Sequence, residues 1–382
     1  MIPYGKHSID QADIDAVVDV LENHFLTQGS KIPAFEKAIA NTVKARFCTV
    51  VNSGTSALHV ACLAAGVAAG DMVWTSPNSF VASANCALYC GASIDFIDID
   101  PFTRNISVEA LQAKLDTAKQ QNALPKAIVV VHFAGVSCDM QSIRALTEPF
   151  GITLIEDAAH ALGGQYLGEP VANCQYSDMA ILSFHPVKAI TSAEGGAITT
   201  NNPELAHQLQ LFSKHGITRS ALHTPQEHAN EGWYYEQQVL GYNYRLSDLH
   251  AALGMSQLAK LPEFIEARAA QAAFYQQQLA DLPVVLPTVP DYAESAWHLY
   301  VIELQRHSRE AVYNALKQRN IGVNVHYIPI HIHPHYQQLG FRPGQFPHAE
   351  HYYDVALTLP LFPSMSKQEQ QYVITSLREV LI

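Results

Sequence analysis

Cationic residues are scarce: 23 Lys and Arg stand against 35 Asp and Glu in 382 residues, a net charge of −12 with His neutral. No basic run or aromatic-rich binding signature offsets this, which argues against a nucleic-acid partner held through clustered cations. Cysteine is sparse as well. Six at irregular spacing build no disulfide framework, and although Cys86 and Cys90 could share a helix face, they read as core thiols of a cytoplasmic protein. No apolar run approaches the roughly 20 residues that a helix needs to cross a bilayer, so no membrane partner is expected. The opening Met1-Ile-Pro-Tyr-Gly-Lys-His-Ser8 lacks an apolar core and a cleavage site, which argues against export. Internal repeats and low-complexity tracts are absent. The strand-to-helix turn at Asn52-Ser-Gly-Thr-Ser56 is not followed by Gly-Lys-Ser/Thr, which removes a P-loop ATPase reading.

What is present suffices for two packed domains. Residues 10–26 read as an amphipathic helix capped by Asp10, with Ile14, Val17, Val18 and Leu21 on the inward face. Buried strands are predicted at 48–51, 73–75, 94–99, 127–133, 152–157 and 179–184, with a returning strand after Gly196. Helices fall between most of them, one running from Pro77 to Cys90 and another near 203–214. Such alternation implies βαβ units and a mainly parallel sheet covered on both faces, hence an α/β fold. The helical stretch 249–282 is split by Pro262, and the domain boundary is placed there: 12–258 as the large domain, 259–382 with 1–11 as the small one. Within the latter, 297–304 and 322–327 read as extended and 309–319 as helical. The loop 216–238 is long and aromatic, as functional loops or inter-subunit arms are.

Three places carry candidate chemistry. Pro186 stops the strand at 179–184, and two residues later comes Lys188, followed by Glu194-Gly-Gly196. Burial just beyond a strand end would depress the pKa of a lysine, as an amine needs in order to attack a carbonyl; a surface lysine is the bland alternative. The small-residue turn at Gly54, Thr55 and Ser56 leaves backbone amides at a helix N-terminus, where an anion is stabilised, unless it is an ordinary capped helix start. Asp157 ends an apolar strand where open α/β sheets bind ligands, or else caps the next helix, and His160 follows one helical turn later on the same face. The histidines of Val325-His-Tyr-Ile-Pro-Ile-His-Ile-His-Pro-His335 invite a metal reading. No cysteine or carboxylate stands at ligand spacing, so no metal is expected.

Ser183-Phe-His-Pro-Val-Lys188 with Glu194-Gly-Gly196 resembles the lysine motif of the DegT/DnrJ/EryC1/StrS aminotransferases, and further motifs follow in the expected order along nearly the whole chain. The resemblance implies the pyridoxal-phosphate-dependent transferase fold type I. It gives Lys188 the Schiff base with pyridoxal 5'-phosphate, Asp157 the pyridinium nitrogen, and Gly54, Thr55, Ser56 and Ser183 the cofactor phosphate. It also stacks Phe80, in the first turn of its helix, on the ring and sets His160 against the cofactor hydroxyl. The segment Gly241-Tyr-Asn-Tyr-Arg-Leu-Ser-Asp248 is similar to one that reaches into the neighbouring active site. It implies a homodimer with shared sites, Asn243 on the partner's cofactor phosphate and Arg245 nearby. Tyr4, Lys6, Thr27, Gln28, Tyr327 and His331 match substrate-side positions.

The opening Ile2–Lys6, the turn Leu26–Gly29 and the lysine motif look most like the branch that uses L-glutamate, giving 2-oxoglutarate, to aminate C4 of a UDP-4-keto-6-deoxy-N-acetyl-hexosamine for pseudaminic acid. The branch acting on UDP-4-keto-arabinose is the near alternative. Relatives that dehydrate sugars at C3 carry histidine at the lysine position, so Lys188 favours amination. A non-catalytic regulator or scaffold is the remaining reading; such regulators carry an added DNA-binding domain, for which little chain is left.

Overall fold

The computed structural model describes residues 1–218, 228 and 231–382, so the predicted loop 216–238 falls partly outside the described residues. Seven strands form the main sheet: β1 (Phe47–Val51), β2 (Met72–Thr75), β3 (Ser93–Phe96), β4 (Ala127–Val131), β5 (Thr153–Asp157), β8 (Met179–Ser183) and β9 (Gly196–Thr200). Their order is β1-β9-β8-β5-β4-β2-β3. The pairs from β3 through β2, β4 and β5 to β8 are parallel, whereas β9 runs antiparallel to both β8 and β1. Between β5 and β8 lie the short strands β6 (Gln165–Tyr166) and β7 (Glu169–Pro170), and beyond β9 the short ribbon β10 (Ile217–Thr218) and β11 (Glu236–Gln237).

Strand β4 shows how the sheet is buried. All five of its residues are apolar and buried. Ala127 and Val129 pack towards α3 (Gly54–Ala64), α4 (Ala82–Tyr89) and α7 (Pro203–Ser213), while Ile128 and Val130 pack towards α5 (Val108–Gln121) and α6 (Met140–Thr147). On that second face α2 (Lys31–Val43) and α8 (Asp248–Ala259) cover β8 and β9. A strand with helices on both faces has no polar side, which is why its sequence is a continuous apolar run.

The first helix, α1 (Gln11–Asn23), is capped as predicted: Asp10 and Asp13 form a capping box. Its inward face is not the predicted one. Ile14, Val18 and Leu21 are exposed, whereas Asp13 is buried and accepts hydrogen bonds from Gln257 Nε2 (2.7 Å) and Lys260 Nζ (2.5 Å). The helix packs on α8 through this polar seam, leaving the apolar stripe outward.

Pro262 stands in the first turn of α9 (Leu261–Gln278), separating it from α8 as predicted. The beginning of α9 touches the core of the main sheet and its end enters a second one. That second core lies on an antiparallel sheet of β12 (Val284–Val285), β14 (Tyr300–Leu304) and β15 (Ala356–Leu359), with α10 (Arg309–Gln318) and α12 (Lys367–Leu381). The pair β13 (Ala293–Glu294) joins β6 instead. Residues 322–327, expected as extended, form no strand, only the isolated bridge of Asn324 with Thr358. The N-terminal segment is stitched here: Ile2 N–H donates to Asn320 O (2.9 Å) and Leu361 N–H to Tyr4 O (3.1 Å). Among the described residues no helix is long and apolar enough to cross a membrane.

Candidate active site

Val131, Asp157 and Ser183 sit at the carboxyl ends of β4, β5 and β8, and all three open onto one cavity of about 450 Å³. The α3 N-terminus, the segment after β8 and residues 324–327 complete its walls. Beyond β8 the chain makes a tight excursion before β9. Phe184 N–H donates to Gly195 O (2.9 Å), and Phe184 O accepts from Ser192 N–H (3.0 Å) and Thr191 Oγ1 (3.1 Å). Inside this clasp Lys188 N–H donates to His185 O (2.9 Å), and the side chain turns to the cavity. Lys188 Nζ makes no hydrogen bond or ion pair with the described residues. Burial pulls its pKa down to about 8, opposed by the negative charge of Asp157.

The anion cradle follows from close packing. Ser53 caps α3, its Oγ accepting from Ser56 N–H (3.0 Å), which leaves the Gly54 and Thr55 amides without intrahelical acceptors. A Cβ on Gly54 would lie 2.9 Å from Ser183 Cβ, so only glycine lets the helix start meet the end of β8 this closely. Gly54, Thr55 and Ser183 all line the cavity. Ser56 does not; its hydroxyl donates inward to Asn52 Oδ1 (2.7 Å).

Asp157 is buried with a donor on each oxygen: Ala159 N–H on Oδ1 (3.2 Å) and Ser83 Oγ on Oδ2 (2.6 Å). Ser83 Oγ is in turn bonded to Ser79 Oγ (2.7 Å). No helix follows Asp157, contrary to the sequence reading, so His160 is brought round by turns rather than by helical periodicity. His160 Nδ1 accepts from Ala134 N–H (3.3 Å), which assigns the proton to Nε2, 3.1 Å from Tyr327 Oη. Burial, then the Lys188 and His326 charges, hold His160 well below the usual histidine range. Burial raises the Tyr327 phenol, and it lowers His326 to about 3, helped by Lys188. His160, His326 and Tyr327 thus stand neutral around the amine, and the acidic residues of the lining are Asp157 and the exposed Glu194.

Phe80 lies two residues before α4 begins rather than in its first turn, because Pro77–Phe80 form a turn that ends β2. Its ring is 57% exposed at the cavity wall, 6.4 Å from the Tyr327 ring. Tyr4 lines the same wall. Other sequence candidates lie elsewhere in this chain. Thr27 and Gln28 are exposed in a turn clamped by Asp248, whose carboxylate accepts from Gly29 and Lys31 N–H (both 2.9 Å). Lys6 borders a smaller recess behind Lys188. Asn243 is exposed and Arg245 pairs through its backbone with Val51, neither reaching this cavity. His331 is fully buried under α11 (Pro347–Val355), its Nε2 2.9 Å from Glu350 Oε1, and does not line the cavity.

Sequence reasoning missed Ser79, Ser83, Asn324 and His326 as cavity residues. Ser79 and Ser83 stand four apart where a helix begins, a spacing that stacks hydroxyls on one face, while Asn324 and His326 carried no comparable signal.

A free amine, a carboxylate and a helix N-terminus facing one cavity fit a phosphorylated aldehyde with a basic ring nitrogen, which is the chemistry of pyridoxal phosphate. The profile of the DegT/DnrJ/EryC1/StrS aminotransferase family matches residues 7–378. The spore coat polysaccharide biosynthesis protein SpsC of Bacillus subtilis is 38% identical over 387 residues, spanning 100% of this chain and 97% of that one. The UDP-4-amino-4,6-dideoxy-N-acetyl-beta-L-altrosamine transaminase of Campylobacter jejuni is 38% identical over 385 residues, spanning 100% and 98%. Among solved structures, the putative sugar aminotransferase Spr1654 from Streptococcus pneumoniae in its PMP form superposes with a TM-score of 0.90 at 27% identity, covering 100% of this chain and 99% of that one. Helicobacter pylori PseC, an aminotransferase of pseudaminic acid biosynthesis, superposes at 0.89 with 31% identity and the same coverage. The chain belongs to the DegT/DnrJ/EryC1/StrS aminotransferase family, whose sugar aminotransferases depend on pyridoxal phosphate.

Proposed function

We propose that this enzyme transfers an amino group from L-glutamate to C4 of a UDP-4-keto-6-deoxy-N-acetyl-hexosamine, the amination used in pseudaminic acid synthesis, with Lys188 as its cofactor-bearing and proton-moving residue. The observation that carries the reading is the Lys188 amine: unpaired, depressed to about 8, and facing the same cavity as Asp157. The cofactor, when bound, supplies an electron sink for the carbanion left when an amino acid loses its Cα proton. The chain does the rest. The Gly54 and Thr55 amides, with Ser183, hold the phosphate; Asp157 keeps the ring nitrogen protonated; Phe80 covers the ring face. His160 and Tyr327 offer neutral hydrogen-bonding groups to the bound molecule. Lys188, as a neutral amine, takes the proton from the donor's Cα.

The choice of sugar rests on likeness to the Campylobacter transaminase and to PseC, at identities that SpsC equals or exceeds. Tyr4 and Tyr327 line the cavity beside Lys188 and serve as substrate contacts. We place the protein in the cytoplasm and divide it at 258/259 into two domains. A homodimer with shared sites accounts for the exposed Asn243 and for the outward stripe of Ile14, Val18 and Leu21.

Coupled assays with glutamate, run side by side on the UDP-4-keto-6-deoxy-N-acetyl-hexosamine and on UDP-4-keto-arabinose, test the substrate. A site built around a 2-acetamido group rejects a sugar that lacks it, because the site's own polar groups are left unpaired. A kcat/KM at least about tenfold higher for the acetamido sugar is expected. Equal or reversed values end that assignment and leave a sugar aminotransferase of other specificity.

A further inference from the structure

One buried cation stands outside the chemistry of the cavity. Arg268 lies on α9, the helix that runs from the core of the main sheet into the second core, and is 1% exposed. It makes no ion pair with the described residues, and its Nε has no hydrogen-bond partner among them. Burial alone pulls its pKa down to about 10, which leaves it charged at neutral pH. An unpaired charge is a costly group to bury, and a methionine would fill the same place. Packing by itself therefore does not account for an arginine here.

The hydrogen bonds of this residue show what it holds. Its Nη1 donates to three carbonyls outside the strands: Leu361 O (3.0 Å), Trp297 O (3.2 Å) and His298 O (3.4 Å). They lead to two parts of the cavity lining. Leu361 gives its N–H to Tyr4 O, and Tyr4 lines the cavity. Trp297 and His298 lie between two residues bonded to the loop after β4: Ala296 N–H donates to Gly135 O (2.9 Å) and Leu299 N–H to Ala134 O (3.3 Å). A Cβ on Gly135, whose φ is +103°, would lie 2.8 Å from Trp297 N, so the loop and this strap are pressed together. Ala134 N–H in turn meets His160 Nδ1, and the His298 and His160 ring centroids are 4.3 Å apart. Both contacts of the strap thus converge on His160, which lines the cavity with Lys188.

We propose that Arg268 is a positioning residue of the aminotransferase: one guanidinium holds both the anchor of Tyr4 and the 296–299 strap behind His160, and so keeps the wall closed around Lys188. It touches neither cofactor nor substrate. The inference rests on this cavity being the cofactor site, but its first readout, the Lys188 amine of the cofactor-free chain, needs neither cofactor nor sugar. Other α9 side chains supply the contrast. Gln271 Nε2 donates to Phe362 O (3.0 Å) and Tyr275 Oη to Pro360 O (3.0 Å), tying the same segment after β15. Neither bonds to the strap among the described residues, so they fasten the helix without gripping the His160 side. Lysine at 268 would keep the charge and meet part of the carbonyl set, whereas methionine would meet none of it.

The test compares Arg268→Met, Arg268→Lys and Tyr275→Phe, with urea unfolding as the measure of structural damage. Competitive acetylation of the cofactor-free full chain reads Lys188, whose pKa burial holds at about 8. Burial and Asp157 account for that value, so loss of the Arg268 charge is not by itself expected to move it. Arg268→Met should admit water at the wall and raise the midpoint to about 9 or above. Equilibrium dialysis should show cofactor affinity about tenfold lower. Arg268→Lys should recover most of both changes. Tyr275→Phe should leave both at the wild-type value, even at an equal loss of stability. Where Arg268→Met does not fold, Arg268→Gln, which keeps one donor, takes its place. A folded Arg268→Met or Arg268→Gln with the Lys188 midpoint unmoved overturns the proposal, as does a Tyr275→Phe that moves it as far. A raised midpoint with unchanged cofactor affinity sustains the positioning and removes this cavity as the cofactor site.

Discussion

The amine of Lys188 offers a quantitative handle. Its pKa falls from 10.5 to about 8 because burial disfavours the ammonium more than Asp157 favours it. At pH 7.4 a pKa of about 8 leaves about 20% of the amine neutral, against about 0.1% at the ordinary value, a gain of about 250-fold in the reacting form. The same shift is worth about 3 kcal/mol of differential interaction and has a sign. Between pH 8 and 10.5 the unfolded chain holds a proton that the folded chain has lost, so this group makes stability rise with pH across that window. Competitive acetylation of the cofactor-free protein, quantified on the Lys188 peptide against surface-lysine peptides, should give a labelling midpoint of about 8. Replacing Asp157 with Asn removes the opposing charge and should move the midpoint lower. A midpoint of about 10 in the folded protein would refute the reasoning, as would an upward move in the Asp157→Asn variant.

Ser83→Ala removes the short donor to Asp157 Oδ2. It should weaken cofactor affinity by about tenfold in equilibrium dialysis with the unfolding transition unchanged, and unaltered affinity would reduce Ser83 to a space-filler. Asp248→Ala leaves the Gly29 and Lys31 amides unpaired. A loss of about 2–4 kcal/mol in urea unfolding is expected, with a smaller loss for Asp248→Asn; a change below about 0.5 kcal/mol would contradict the clamp. Asn243→Ala, at an exposed position, should leave stability unchanged and lower cofactor affinity only if the residue serves a partner's site; equal affinity removes it from the shared-site reading.

The cavity's chemistry was legible where a strand runs straight into a polar residue. Asp157, Ser183 and the Gly54 turn all sit at or just beyond the carboxyl ends of strands that apolar runs mark, and the structure gathers them with Lys188. Residues set by loops were harder. His160 reaches its place through turns, which leave no periodic trace, and Phe80 was assigned to a helix that starts two residues later. His331 lies in a histidine-rich stretch whose members look alike in sequence, yet its neighbour in the series, His326, faces the cavity while His331 pairs with Glu350 beneath it. The α1 face was misjudged because hydropathy ranks Asp13 as outward, and hydropathy cannot register a buried carboxylate matched to Gln257 and Lys260. Any position whose polarity is satisfied by a distant partner defeats pattern reading in this way.

The stitching of the first residues to the last third of the chain sets an order of assembly. Tyr4 takes its place in the cavity wall only when its carbonyl has received Leu361 N–H and Ile2 has met Asn320. During synthesis the main sheet, finished at Thr200, can form long before those partners leave the ribosome. The wall stays open on one side until more than nine-tenths of the chain has emerged, although the lysine and the anion cradle are made early. A nascent chain halted before residue 320 would therefore hold Lys188, Asp157 and the Gly54 turn without the wall that residues 324–327 and the anchored Tyr4 supply.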